Sequence, residues 1–440
     1  MSKRILLKVR ETVFTDAAGR DDFLKEALQL LNIPPDRRTG VKISPLFTDP
    51  RLSPDRLKQL QQEAEEGARK QNKIYKAPNF LTYLVIEVPD NVDSNDFLRL
   101  LQSSDGKRLL EYAYEQPEGR EPVDPTNNPD FPKQGYLQKG GINIAGVWPS
   151  PGGGGRPGLD GAGIKFADVE RSWRVDHPDL MNGAASRVEL RYGDLHPNVV
   201  IRDHGTAVVG IVAAMDNTSE IVGITPKVDR VMAYSWTKAG AAKPHEAIET
   251  AASELTAGDV LLIERCSVGL LNGNLQALPQ ETDMIAYDII IEATMRGVVV
   301  IEPAGNDGKN IDEFVFDNYD TFANRDSGAL IVGASMPDLT RTGVSNFGNR
   351  IDCFAWGNGV FTLDNRAFGG TSSASAIIAG AAVALQGYAK AVLGGVFTPD
   401  QLRGHFRNRA LNTPSANGIN RDKIGVMPNV EAIVGFLETS

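Results

Sequence analysis

Residues Gly369 to Gly380 read GGTSSASAIIAG, and the chain continues through Ala381, Val383 and Leu385 with no charge until Lys390. Ala, Ile and Val on every face of such a run describe a buried helix rather than an amphipathic surface helix. The small-residue loop Gly369-Gly370-Thr371 delivers Ser372 to the start of that helix. Free N–H groups and the positive end of the helix dipole lie there, which suits an oxygen that becomes anionic. Serine is also a favoured helix cap, so this stretch alone leaves two readings of Ser372, nucleophile or cap.

Outward from that helix, the second part of the chain repeats one pattern. Strand-length apolar runs occur at Ile164–Val169, Val228–Tyr234, Val260–Ile263, Val298–Ile301 and Leu330–Val332. Helical stretches at His204–Ala214, His245–Leu255 and Met284–Met295 alternate with them. Continuous apolar strands between helices predict an α/β fold, a parallel sheet covered on both faces. In such sheets functional groups gather where strands end and helices begin. Three segments fit. Asp168 and Glu170 share one face at the end of the first strand, with Val169 between them. Asp203-His204-Gly205-Thr206 opens the next helix, in a chain with five histidines. Asn306 sits in the glycine-rich Ala304-Gly305-Asn306-Asp307-Gly308 turn after the Val298 strand.

Each residue has a plain structural use: a salt bridge for the acids, a satisfied histidine, a turn asparagine. Their order argues for chemistry. An acid, a histidine, an amide donor and a serine follow one another, each at a strand end or helix start. Nucleophilic acyl transfer needs those four parts: a base for the serine proton, an acid to orient the base, and a donor for the developing oxyanion.

In these residues the chain resembles the subtilisin-like serine peptidases. DHGTAVVGIVAA is similar to that family's histidine motif, EPAGNDG to its oxyanion asparagine motif, and GGTSSASAIIAG to its serine motif. The resemblance runs over residues 140–410 as one ordered series. It implies a seven-stranded parallel sheet with helices on both faces, Ser372 as nucleophile, His204 as base and Asn306 as oxyanion donor. Ile263–Gly269, IERCSVG, resembles the strand that pairs with substrate backbone, so Ser267 and Gly269 are expected to line the cleft. The departure is the acid. The family has Asp-Thr-Gly after its first strand, and this chain has Glu170-Arg171-Ser172. Aligning Gly163-Ile164-Lys165 puts Glu170 at the acid position and leaves Asp168 structural. Ala376 and Trp356 stand where the family commonly has proline.

Residues 1–116 alternate strand and helix signals: a strand at Ile5–Val9, helices from Asp21, Ser53-Pro54 and Ser94, and strands at Leu81–Val88 and Leu109–Tyr114. They predict a smaller α+β domain. Five prolines between Gln116 and Pro132 predict an exposed linker over 117–139, before a catalytic domain at 140–440. The family commonly carries an N-terminal α+β propeptide that assists folding and blocks the cleft; the alternative is a permanent accessory domain.

The chain has 440 residues, 41% hydrophobic and 23% charged, with a formal net charge of −10. That balance argues against a nucleic-acid partner. No apolar run is expected to reach membrane-spanning length, and the N-terminus lacks the apolar core of a secretory signal. With only two cysteines, a cytoplasmic, reducing location is expected. The resemblance implies protein or peptide substrates, with no cofactor required. Structural calcium occurs in the family, but no calcium motif is found. The competing functions are a catalytically weak binding or regulatory protein on the same fold, for which Glu170 is the best support, and an esterase or amidase using the same triad.

Overall fold

The computed structural model describes residues 3–439 apart from 49–51, 71–75, 78, 90–92, 116–123, 150–154, 272, 316–320 and 365. The chain forms two compact units, Met1–Arg120 and Glu121–Ser440.

In the first unit, strands β1 (Lys3–Val9), β2 (Lys42–Pro45), β3 (Tyr83–Val88) and β4 (Leu110–Glu115) form one antiparallel sheet in the order β2-β3-β1-β4. Helices α1 (Ala17–Leu30), α2 (Pro54–Lys70), α3 (Ser94–Leu101) and α4 (Ser104–Leu109) connect them. Ile5, Leu7 and Val9 alternate with less buried neighbours and pack with Leu84, Ile86, Phe23, Ala27, Phe97 and Leu101 into one core. Period-two burial on β1 and helical spacing on α1 are what make this α+β core close.

In the second unit, β5 (Lys165–Glu170), β6 (Val188–Tyr192), β7 (Arg230–Ser235) and β8 (Val260–Ile263) are followed by a hairpin, β9 (Ser267–Leu271) and β10 (Asn274–Leu278). Next come β11 (Val299–Pro303), β12 (Leu330–Ser335), β13 (Cys353–Trp356), a second hairpin β14 (Val360–Thr362) and β15 (Arg366–Phe368), then β16 (Thr413–Pro414) and β17 (Val426–Met427). The main sheet runs β16-β17-β13-β12-β11-β8-β5-β7-β6 among the described residues. The seven longer strands are parallel, as the resemblance implied; two-residue strands at one edge, the last antiparallel, raise the total to nine.

Helices α5 (Val199–Ala213) and α8 (Gly370–Tyr388) pack together on one face, and α6 (Pro244–Glu254) and α7 (Met284–Met295) on the other. α8 is buried along almost its whole length, so burial rather than an amphipathic stripe explains its sequence. A π-turn continues it to Leu393, where Gly394 at φ +76° ends it. The expectation on membrane-spanning runs needs correction: residues 370–393 are long and apolar enough by composition, but they form this core helix.

The expected linker is also shorter than predicted. Residues 117–123 lie outside the described residues, but Asp124 N–H and the Asn128 amide donate to Asp216 at 2.7 and 2.9 Å. Tyr136 and Leu137 are fully buried. The segment from Asp124 therefore belongs to the second unit. Pro125 and Pro132 sit in short 3-10 turns, which proline favours, rather than in an extended crossing.

Candidate active site

β5 lies where the strand order reverses, between β7 and β8. The crevice at the C-terminal end of such a switch point is where α/β sheets place ligands. Glu170 ends β5 at 5% exposure, and its Oε2 meets Nδ1 of His204 in a short contact. Its Oε1 accepts from the Arg171 N–H at 2.5 Å, which fixes the carboxylate plane. Asp168, two residues earlier on the same face, accepts from Trp173 Nε1 at 2.8 Å and does not touch the imidazole. Burial, and then the Glu170 charge, push the Asp168 carboxyl well above the usual carboxylate range.

His204 does not open its helix. α5 begins at Val199, capped by the Asn198 side chain on Val200 N–H, which places His204 in the second turn. Val199–His204 are not buried, so no apolar stripe announces this first turn. Gly205 explains how a glutamate fits where the family has aspartate. A Cβ at 205 would lie 2.5 Å from the Ser172 carbonyl and 2.7 Å from Glu170 Cγ. The longer acid lies directly against the helix backbone there. Asp203, the other acid of this motif, is engaged by Arg174 at 3.0 Å and Arg366 at 2.9 Å. Phe368 sets its ring edge-on to His204, with centroids 5.1 Å apart. Burial opposes charging of the imidazole, but the Glu170 carboxylate, joined by Glu264 and Asp168, outweighs it and raises the His204 pKa to about 9.

Gly369 caps α8, with no side-chain capping bond, so Ser372 is not the cap. Gly370 has φ +77°, the left-handed turn that lets the chain enter the helix. Ser372 is half-buried in the first turn. Ser373 is fully buried and its hydroxyl reaches the Gly370 and Trp356 carbonyls at 3.0 and 3.3 Å, which removes it as an alternative. Asn306 follows β11, and its Oδ1 accepts from both the N–H and the hydroxyl of Thr371, at 2.8 and 3.1 Å. An N–H can only donate, so the amide orientation is set and Nδ2 remains as the outward donor next to the Ser372 turn.

Ser267 and Gly269 stand on β9, whose one edge is filled by β10 in the register Ser267↔Leu278 and Gly269↔Gln276. A Cβ on Gly269 would meet Phe314 at 2.7 Å, so the hairpin packs closely under that residue. Trp356, in place of the family proline, donates from Nε1 to the Gly140 carbonyl at 3.2 Å.

Sequence reading gave Glu264 no role. It directly follows the fully apolar β8 and is 6% exposed, with the Ser375 hydroxyl in short contact with its Oε1. The available signal was a glutamate ending a buried apolar strand, the same pattern that singled out Glu170.

Calcium was expected only through the family. Among the described residues, His177, Glu220 and Asp364 bring three donor atoms together. His177 Nδ1 accepts from Asp179 N–H at 3.2 Å, so the ring proton is on Nε2, facing Asp364 at 3.3 Å. Arg174 also binds Asp364. This is a hydrogen-bonded lock. Its imidazole N–H and guanidinium do not suit a hard cation that takes oxygen ligands.

A parallel sheet with a histidine–carboxylate pair, a serine at a helix start and an amide donor at its switch-point edge is the set of parts that nucleophilic acyl transfer uses. A profile described as the subtilase family matches residues 173–435, and the chain belongs to that family of serine-type peptidases. Glu170 lies just before the matched segment. Halolysin from Haloferax mediterranei is 24% identical over 345 residues, covering 76% of this chain and 59% of the halolysin. Subtilisin Savinase from Lederbergia lenta is 26% identical over 265 residues, 59% of this chain and 88% of the relative. A solved protease structure from Pseudoalteromonas arctica superposes with a TM-score of 0.51 at 19% identity, covering 71% of this chain and 99% of its own, a likeness of fold.

Proposed function

We propose that the chain is a serine endopeptidase acting through an acyl-enzyme on Ser372. In this reading His204 takes the Ser372 proton as the hydroxyl attacks the peptide carbonyl. Glu170 holds Nδ1–H so that the other ring nitrogen is free to accept, and it stabilises the imidazolium that forms. Asn306 Nδ2 donates to the tetrahedral oxyanion. His204 then returns the proton to the leaving amine, and water repeats the sequence to release the acid. The edge of β9 away from β10, at Ser267 and Gly269, would take substrate backbone as an added strand. The observation that carries the reading is Glu170 on Nδ1 of His204, the contact that a triad requires and an inert fold has no reason to keep. Active-site labelling with a fluorophosphonate tests it against the non-catalytic alternative: stoichiometric labelling of Ser372 supports turnover chemistry, and none at any pH rejects it. Comparing peptide with ester turnover separates a peptidase from an esterase.

Asn306→Ala is expected to lower kcat on the order of a hundredfold or more with KM little changed, a magnitude carried over from a subtilisin amide donor. A raised KM at unchanged kcat would remove Asn306 from the oxyanion site.

Residues 1–116, with their own core, are proposed to be a removable inhibitory segment. From Asp124 the backbone is tied into the second unit, so the expected cut lies between Glu115 and Asp124. Mass spectrometry of the parent and of Ser372→Ala checks this. Cleavage in the parent alone, with activity rising as it proceeds, is the expected result; an uncut, fully active chain would make the unit a permanent accessory.

A further inference from the structure

β5 and β8 are adjacent parallel strands, with Leu262 opposite Asp168 and Ile263 opposite Val169. Glu264 N–H donates to the Val169 carbonyl at 3.0 Å, which continues the ladder and sets Glu264 beside Glu170. Val260 and Leu262 share a core with Phe166 on the α5 and α8 side of the sheet, and period two puts Glu264 on that same face. Three carboxyl groups, from Asp168, Glu170 and Glu264, thus bear on one imidazole. The groups facing Glu264 are His204 from α5, Glu170 and Asp168 from β5, Ser372 and Ser375 from α8, and the Cys266 thiol.

The hydrogen bonds around Ser375 accommodate either protonation state of Glu264. The Ser375 hydroxyl lies 2.8 Å from the Thr371 carbonyl and 3.0 Å from the Ser372 carbonyl, and it has a single hydrogen for those acceptors. When that hydrogen goes to either carbonyl, the short contact between Ser375 Oγ and Glu264 Oε1 is made by a hydrogen from the carboxyl; when it goes to Oε1, the carboxyl is ionised. Glu264 Oε2 is buried without a hydrogen-bond partner, a costly arrangement for an ionised oxygen and a mild one for a neutral acid. The Ser372 hydroxyl lies beside this carboxyl without completing a bond to Oε2.

We propose that Glu264 is a positioning residue that shares one proton with His204, and that catalysis runs through the form in which Glu264 holds it and His204 is neutral. Neutral Glu264 donates to Ser375 and offers Ser372 only a weak acceptor, so the Ser372 proton goes to His204. Ionised Glu264 draws the Ser372 hydrogen to itself, charge-assisted bonds being about twice as strong as neutral ones. It also stabilises the imidazolium, which cannot act as a base. Burial raises the Glu264 carboxyl to about 7. With His204 also raised, the pair titrates as one coupled unit with two limbs, the inner form carrying a single proton.

The inference rests on the triad reading above. Its test is the pH profile of kcat/KM, and of fluorophosphonate labelling of Ser372, for the parent and Glu264→Gln. The glutamine keeps the donor to Ser375 and cannot ionise. The parent is expected to give a bell with two ionisations. Glu264→Gln is expected to lose the alkaline limb. At the foot of its acid limb the variant should match the parent, because Glu264 is already neutral there, and its maximum should exceed the parent's, because none of it is held in the form with Glu264 ionised and His204 charged. Superimposable profiles would overturn the proposal, as would a folded Glu264→Gln inactive at every pH. If that variant does not fold, a single-ionisation labelling profile of the parent overturns it equally. No labelling of the parent at any pH would instead overturn the triad reading and this inference with it.

Discussion

Ser372→Ala is expected to lose roughly three or more decades of peptide hydrolysis, as removal of a triad member does in a subtilisin. The fold should be untouched. Ser372 is not the cap of α8 and is only half-buried, with its hydroxyl beside the Glu264 carboxyl. The thermal midpoint should therefore match the parent while turnover disappears. The measurement is kcat/KM on a peptide substrate beside a melting curve. Near-normal hydrolysis would show that Ser372 is not the nucleophile. Ser373, the neighbouring hydroxyl, is buried and bonded to two carbonyls, so it offers no ready substitute.

Glu170→Gln is expected to cost about a thousandfold to ten-thousandfold, the magnitude of the acid-to-amide change in another serine protease triad. Two effects combine. The amide N–H₂ can donate to Nδ1, which drives the ring proton to the nitrogen that must accept from Ser372. The neutral side chain also no longer stabilises the imidazolium. The His204 pKa is held up mainly by Glu170 against burial, so the variant's acid limb should move to lower pH even as its maximum falls. Asp168→Asn should cost far less, because Asp168 is already held toward its neutral form and its partner is the Trp173 indole. Equal losses in the two variants would mean that the pair acts through packing rather than through His204. The pH shift of Glu170→Gln is the readout that packing alone would not move.

The site was legible wherever a residue is announced by its own neighbours in the chain. Ser372 sits between a glycine loop and an uncharged helix, and Asn306 stands in a glycine-rich turn after an apolar strand. Glu170 follows from counting two residues per repeat along β5, and the structure has it, not Asp168, against His204. The start of α5 was not legible, since its first turn carries exposed Val199 and Val200 where an apolar stripe would be sought. The linker boundary failed for a similar reason: prolines signal a break in regular structure but not whether that break is exposed.

The sequence by itself determined the α/β pattern, the smaller α+β unit before it, and the ordered set of acid, histidine, amide and serine. Those features depend on local periodicity and on residue type at strand ends. The tertiary structure alone decided which strands are neighbours. β8 lies next to β5 although β6 and β7 come between them in the chain, and only that adjacency sets Glu264 beside Glu170 and Ser372. Chain order carries no sheet order, because a crossover can return a strand to either side of the one it left. A buried carboxyl acquires its function from the charges its neighbours bring.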